Sequence, residues 1–241
     1  MRRKFVIIIS LAMILAVLLS GCTGRSVRGT GDMVSRVFET EPFTAVNLDV
    51  PFVVIWQEGS QTSVTVEMQE NLFEHLQISV QGGTLLAESR RSFEVSAPNI
   101  PRIYITSPQL VGLSSDVAIV TEGWDTVNAE TFAMNLSGGA VVDITLNVNA
   151  LEINVDEGGA YLTLNGRANN TNIAVTGGVN ISALDLQTAD TRIQLTGGGV
   201  IDIAVSDTLD VTITGAGFIR YSGNPTVTRS ITGFGSVSSV D

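Results

Sequence analysis

Met134-Asn135-Leu136-Ser137-Gly138, Ile173-Ala174-Val175-Thr176-Gly177, Ile193-Gln194-Leu195-Thr196-Gly197 and Val211-Thr212-Ile213-Thr214-Gly215 repeat one phrase: apolar, any residue, apolar, polar, glycine. Ile153-Asn154-Val155 leads to Gly158 with one extra residue. Ser230-Ile231-Thr232-Gly233 closes the series, with Arg229 at the first apolar position. The glycines at 138, 158, 177, 197, 215 and 233 are separated by 20, 19, 20, 18 and 18 residues. That period is too short for propeller blades or helical-pair repeats. It suits one coil of a β-solenoid, each coil stacking on the next at about 4.8 Å, the spacing of paired strands. The chain therefore reads as all-β: a single-stranded right-handed parallel β-helix with coils of about 18–20 residues.

The phrase also assigns faces. Side chains alternate along a strand, so Leu136, Val155, Val175, Leu195, Ile213 and Ile231 form an inward ladder. Asn135, Asn154, Ala174, Gln194 and Thr212 face outward. The glycine sits where the chain turns a corner, with positive φ or with a neighbouring backbone pressed close. A second strand follows each corner. Val142, Ile144, Leu146 and Val148 alternate cleanly, as do Ile201, Ile203 and Val205, and Leu162-Leu164 and Leu184-Leu186 read as equivalents. A lone coil cannot bury its apolar face, so stability comes from stacking neighbours.

Upstream the same period of two persists in looser form. Val46, Leu48 and Val50 alternate, then Val64 and Val66, Ile78 and Val80, Ile103 and Ile105. Residues 43–110 fit either irregular first coils or a separate β unit such as a sandwich. A sandwich, however, offers no reason for glycines at near-constant spacing. The best helix candidate is brief, Glu70 to Leu76. Residues 33–56 are expected to cap one end. The tail from Ser236 to Asp241 leaves the other end less protected, so edge-to-edge homo-oligomers are an expected hazard.

The amino end is a different kind of segment. Met1-Arg2-Arg3-Lys4 is a basic n-region, and Phe5 to Leu19 is apolar apart from Ser10. That run falls short of the ~20 residues a membrane-spanning helix needs and has the form of a secretory leader. It ends in Leu19-Ser20-Gly21-Cys22, which resembles the bacterial lipobox. Leu19, Ser20 and Gly21 are the expected signal-peptidase recognition residues. Cys22 is the expected lipid attachment site, and the chain has no other cysteine. The expected organisation is a leader over 1–21, a tether over 22–40 and a β-helical domain over 41–241. Its first coils (41–130) are irregular and its later coils (131–241) are glycine-marked. The expected location is a cell or outer membrane, facing periplasm or exterior, with the membrane as partner through the lipid.

Charge and composition narrow the function classes. Losing Arg2, Arg3 and Lys4 with the leader leaves 10 basic residues against 24 acidic, a formal charge of −14. Such a surface disfavours nucleic acid. Asp143 and Asp202 follow their coil glycines at the same offset, with Thr163 and Ser182 between. Three coils separate the two acids by roughly 14 Å, more than paired carboxylates need for glycoside hydrolysis. Gly138 to Asp143 and Gly197 to Asp202 partly match the calcium nonapeptide but lack its fourth-position glycine. His75 is the only histidine and has no serine elbow nearby, which reads as a surface or capping residue. Trp56, Trp124 and Tyr161 are sugar-stacking candidates if exposed, and packing residues otherwise. No cofactor, metal or catalytic residue is expected.

Gly215-Ala216-Gly217-Phe218-Ile219-Arg220-Tyr221-Ser222-Gly223-Asn224-Pro225 resembles the terminal motif of the bacterial head GIN domain family, described as auto-transporter adhesins. Gly233-Phe234-Gly235-Ser236-Val237 is similar to its closing motif. Phe43 to Trp56 resembles its opening strand pair. Ile103-Tyr104-Ile105 through Pro108, Leu110 and Leu113 resembles the strand before its repeats. The resemblance covers roughly residues 40–241. Where the family has glycine after a serine near the first repeat, this chain has Ser115-Asp116. The resemblance implies a β-helical, secreted or surface-attached protein, often lipid-anchored. Two functions of different class follow. One is a non-catalytic adhesin or scaffold presenting a β face to glycan or protein. The other is a carbohydrate-active β-helix enzyme of the lyase or hydrolase class.

Overall fold

The structure, a computed structural model, describes residues 26–96 and 98–240. The leader and lipobox, with Leu19, Ser20, Gly21 and Cys22, lie outside the described residues. The strands are β1 (Val27–Arg28), β2 (Met33–Phe38), β3 (Ala45–Leu48), β4 (Val53–Glu58), β5 (Ser63–Gln69), β6 (Leu76–Gln81), β7 (Thr84–Ser89) and β8 (Phe93–Glu94). Then follow β9 (Arg102–Ser107), β10 (Gly112–Ser115), β11 (Ile119–Thr121) and β12 (Val127–Leu136). Four long bent strands complete the chain: β13 (Ala140–Val155), β14 (Gly159–Val175), β15 (Gly178–Ser222) and β16 (Thr226–Ser239). β12 to β16 pair in parallel, each with the next, as coils of a solenoid must.

The registers carry the repeat into space. Met134 pairs with Ile153, Ile153 with Ile173, and Ile173 with Ile193. Gly215 pairs with Gly233. Leu136, Val155, Val175, Leu195 and Ile213 are all buried, so the inward ladder is real over five rungs. Its sixth rung departs from expectation: Ile231 is 37% exposed. β16 has a partner on one side only among the described strands, so nothing covers its last rung.

Close packing of backbones explains the glycines. A Cβ on Gly177 would sit 2.5 Å from the carbonyl oxygen of Gly158 in the coil below, and Gly158, Gly197, Gly215 and Gly233 each face the preceding coil glycine in the same way. The later corners add a positive φ, 131° at Gly215, which L side chains rarely adopt. The Ser115-Asp116 corner uses another device. The Ser115 hydroxyl donates to the Leu48 carbonyl and accepts from the Val117 amide, and φ stays negative there.

The second strand of each coil holds one exception to its expected pattern. Leu162 pairs with Ile181, not with Leu184. One extra residue enters β15 between Ser182 and Leu186, a bulge that shifts the register. Leu184 is consequently pushed outward, 41% exposed, while Leu186 stays buried.

Residues 43–110 join the same stack but out of chain order. β3 pairs with both β7 and β10, and β4 with both β9 and β11, all in parallel. The β3–β4 layer is therefore sandwiched between β7–β9 outside and β10–β11 inside. The cap comes from antiparallel strands: β6 on β7, β5 on β9, and β2 on β5. Of the residues expected to cap, 33–38 do so, whereas β3 and β4 lie within the stack. The expected helix shrinks to a 3-10 turn over Glu70–Leu72, joining β5 to β6. There Phe38 and Phe73 stack at 6.4 Å and the Arg36 guanidinium lies 4.2 Å above the Phe73 ring.

Candidate functional site

A groove of about 820 Å³ runs along the solenoid across five coils. It forms where each coil bends just before its glycine-marked strand. Three rows of in-register residues line it, one residue per coil. The middle row, Phe132, Leu151, Thr171 and Thr191, is buried. One rim is Thr131, Ala150, Asn170, Asp190 and Thr208; the other is Ala133, Glu152, Asn172, Arg192 and Asp210.

The charged groups of the groove are tied to neighbours. Arg192 donates to Asp210 one coil along, at 2.9 Å and 3.2 Å. The Thr208 hydroxyl donates to Asp190 at 2.5 Å, and the Asn154 amide to Glu152 at 3.2 Å. Asn170 and Asn172, by contrast, make no side-chain hydrogen bond among the described residues. They straddle the groove at its middle coil. Other outward asparagines are spent on ladders: Asn154 donates to Asn135, Asn147 to Asn128, and Asn169 to Asn149.

Below the groove sits one orphan. The Thr171 hydroxyl is buried without a partner among the described residues. In the next coil its counterpart Thr191 shares a 2.8 Å hydrogen bond with Thr188, which also donates to the Ala204 carbonyl. The position matching Thr188 in the Thr171 coil is Ala168, so the orphan lacks its mate because of one residue.

The residues singled out in the sequence lie elsewhere. Asp143 pairs with Thr163 and Thr163 with Ser182, so the acids Asp143 and Asp202 do not meet. Asp202 is instead bound by both nitrogens of the Arg220 fork, and that contact raises the guanidinium above its ordinary value. His75 lies in the cap beside Glu74 at 3.3 Å. Trp56 is buried with its Nε1 donating to Ser107, and Trp124 packs on it at 5.9 Å while donating to the Val54 carbonyl. Both tryptophans are packing residues. Tyr161 is 64% exposed, on a stripe with Val120 and Val141 on a different wall from the groove. Among the described residues, no three acids, histidines or cysteines are grouped to hold a metal, and no helix is long and apolar enough to cross a membrane.

The glycine ladder, the stacked parallel coils and the antiparallel cap define this architecture. A family model described as "Putative auto-transporter adhesin, head GIN domain" matches residues 42–225. The chain belongs to the head GIN domain family. None of the curated proteins matches this head GIN chain. Several solved structures share its fold. A "putative adhesin" from Bacteroides fragilis NCTC 9343 is 21% identical with a TM-score of 0.81, spanning 89% of this chain and 100% of that one. A "putative lipid binding protein" from Parabacteroides distasonis ATCC 8503 is 20% identical with a TM-score of 0.68, spanning 90% and 100%. A "putative adhesin" from Parabacteroides merdae ATCC 43184 is 19% identical with a TM-score of 0.63, spanning 90% and 99%.

Sequence reasoning placed no head GIN groove residue in a site. The available signal was the triplet ahead of each glycine phrase, such as Asn170-Thr171-Asn172 and Asp190-Thr191-Arg192, with polar residues flanking the buried position. That pattern shows alternation; the concave bend that makes a groove is a property of the folded backbone.

Proposed function

We propose that this protein is an exported, lipid-anchored surface adhesin that binds its ligand without transforming it, and that the axial groove is its ligand-binding face. The carrying observation is the state of the groove's charged groups. A general acid or base works through a carboxyl oxygen aimed at the reacting atom. Here Asp210 is held by Arg192, Asp190 by Thr208 and Glu152 by Asn154. Such groups are built for steady hydrogen bonding. Membership of a family described as adhesins supports the same reading, as does the leader ending in Leu19-Ser20-Gly21-Cys22.

The test is a screen of the purified protein against neutral and acidic polysaccharides, with and without calcium. Retention without turnover is the expected result. Turnover that disappears in Asp143→Ala or Asp202→Ala would overturn the reading in favour of a carbohydrate-active enzyme.

A further inference from the structure

We propose that the groove takes a linear, neutral β-1,4-linked hexopyranose chain lying parallel to the solenoid axis, one sugar ring per coil. This assignment rests on the groove being the ligand-binding face.

Register is the first argument. The rim rows repeat once per coil, about every 4.8 Å, so five coils set a track on the order of 19 Å long. A partner that uses such a track fully must itself repeat at that interval. An extended peptide advances about 3.3–3.5 Å per residue and about 7 Å between side chains on one face. Either period drifts out of step within two coils. A hexopyranose linked through its first and fourth carbons advances by one ring, close to the coil rise. Alternate rings are turned over, so the chain repeats fully every second coil, and each ring carries hydroxyls toward both rims, whose residues differ from coil to coil.

Chemistry is the second argument. Sugar hydroxyls both donate and accept, and so does a carboxamide. Asn170 and Asn172 present two uncommitted carboxamides across the middle of the track. Thr131, Thr208 and Asp190 continue one rim with hydroxyl and carboxylate groups. Charge is the third argument. Glu152, Asp190 and Asp210 outnumber Arg192 in the groove, which disfavours uronates, sulfated polymers and nucleic acid. Phe132 is buried, so the groove offers no aromatic platform, and affinity must accumulate from hydrogen bonds spread over several rings.

The test is calorimetric titration of the full chain in detergent with cello-, chito- and manno-oligosaccharides of two to seven rings. For one of these series affinity should climb roughly fivefold per ring, the change that about 1 kcal/mol of net hydrogen bonding produces, and level off near five rings. Asn170→Ala combined with Asn172→Ala should weaken binding at least tenfold without moving Tm. Tyr161→Ala should leave binding unchanged. Absence of binding to all three series, affinity independent of length, or loss that follows Tyr161→Ala would overturn the assignment. Binding of another polysaccharide or a protein that ignores the groove variants would overturn it too, while leaving the adhesin reading intact. Cleavage of the oligosaccharide would instead sink the non-catalytic reading.

Discussion

Thr171 shows how far one side chain departs from its neighbours' logic. Its buried hydroxyl lacks the partner that Thr188 provides one coil on. An unsatisfied buried hydroxyl costs about 1 kcal/mol or more. Thr171→Val should therefore stabilise the protein, raising Tm by roughly 2–4 °C in thermal unfolding. Ala168→Thr should also raise it by restoring the pair, and a drop in Tm for both would show that the hydroxyl is satisfied. Asp49 makes a second residue-scale case. Partial desolvation of this exposed residue, with Asp116 and Glu88 nearby, pushes its carboxyl above the ordinary range. A raised folded-state value means the folded protein binds more protons, so this group's contribution to stability falls as pH rises through that range. Asp49→Asn should melt higher than wild type at neutral pH, and the gap should close on acidification. Cys22 is testable in the same way: Cys22→Ala should abolish labelling by a lipid analogue, and persistent labelling would refute attachment there.

At the scale of the element, each coil is held by apolar rungs inside and by backbone contact at the glycine corner. Val175 is 1% exposed between Val155 and Leu195. Val175→Asp would place an unpaired charge in that stack, at a cost of about 3–5 kcal/mol. Gly177→Ala tests the corner separately. Its Cβ would press on the Gly158 carbonyl, so about 1–3 kcal/mol of destabilisation is expected in denaturant unfolding. Wild-type melting of both variants would refute the register. The glycine phrase made the ladder from Leu136 to Ile213 legible because period two and a fixed coil length both survive in sequence. Leu184 was illegible, because a one-residue bulge flips a side chain without disturbing local composition.

At the scale of the whole molecule, one end is closed and its assembly is non-sequential. The antiparallel β5, β6 and β2 cover the β7–β9 layer, and β3–β4 is held between layers that follow it in the chain. A chain begun at residue 109 would keep every glycine-marked coil yet expose the edges of β10 and β11 that β3 and β4 cover. Unprotected edges of that kind pair with one another. Such a fragment should elute as multimers in size-exclusion chromatography, while the full chain in detergent should not gain that edge association. Hydrogen exchange should grade along the axis too. β14, paired on both sides, should exchange slowest and β16 fastest among the long strands.

By itself the sequence determined the coil. A glycine at intervals of 18–20 residues, with apolar residues alternating before it, admits few structures besides stacked parallel strands, since both features act through local geometry. The family followed from the same residues near Gly215 and Gly233. Only the tertiary structure decided the layer order at the capped end, because β3–β4 finds both neighbours by contacts distant along the chain. It alone also decided the groove. Asn170, Asn172 and Arg192 look like ordinary outward residues in one dimension, and they converge because five coils bend at the same place and stack that bend in register.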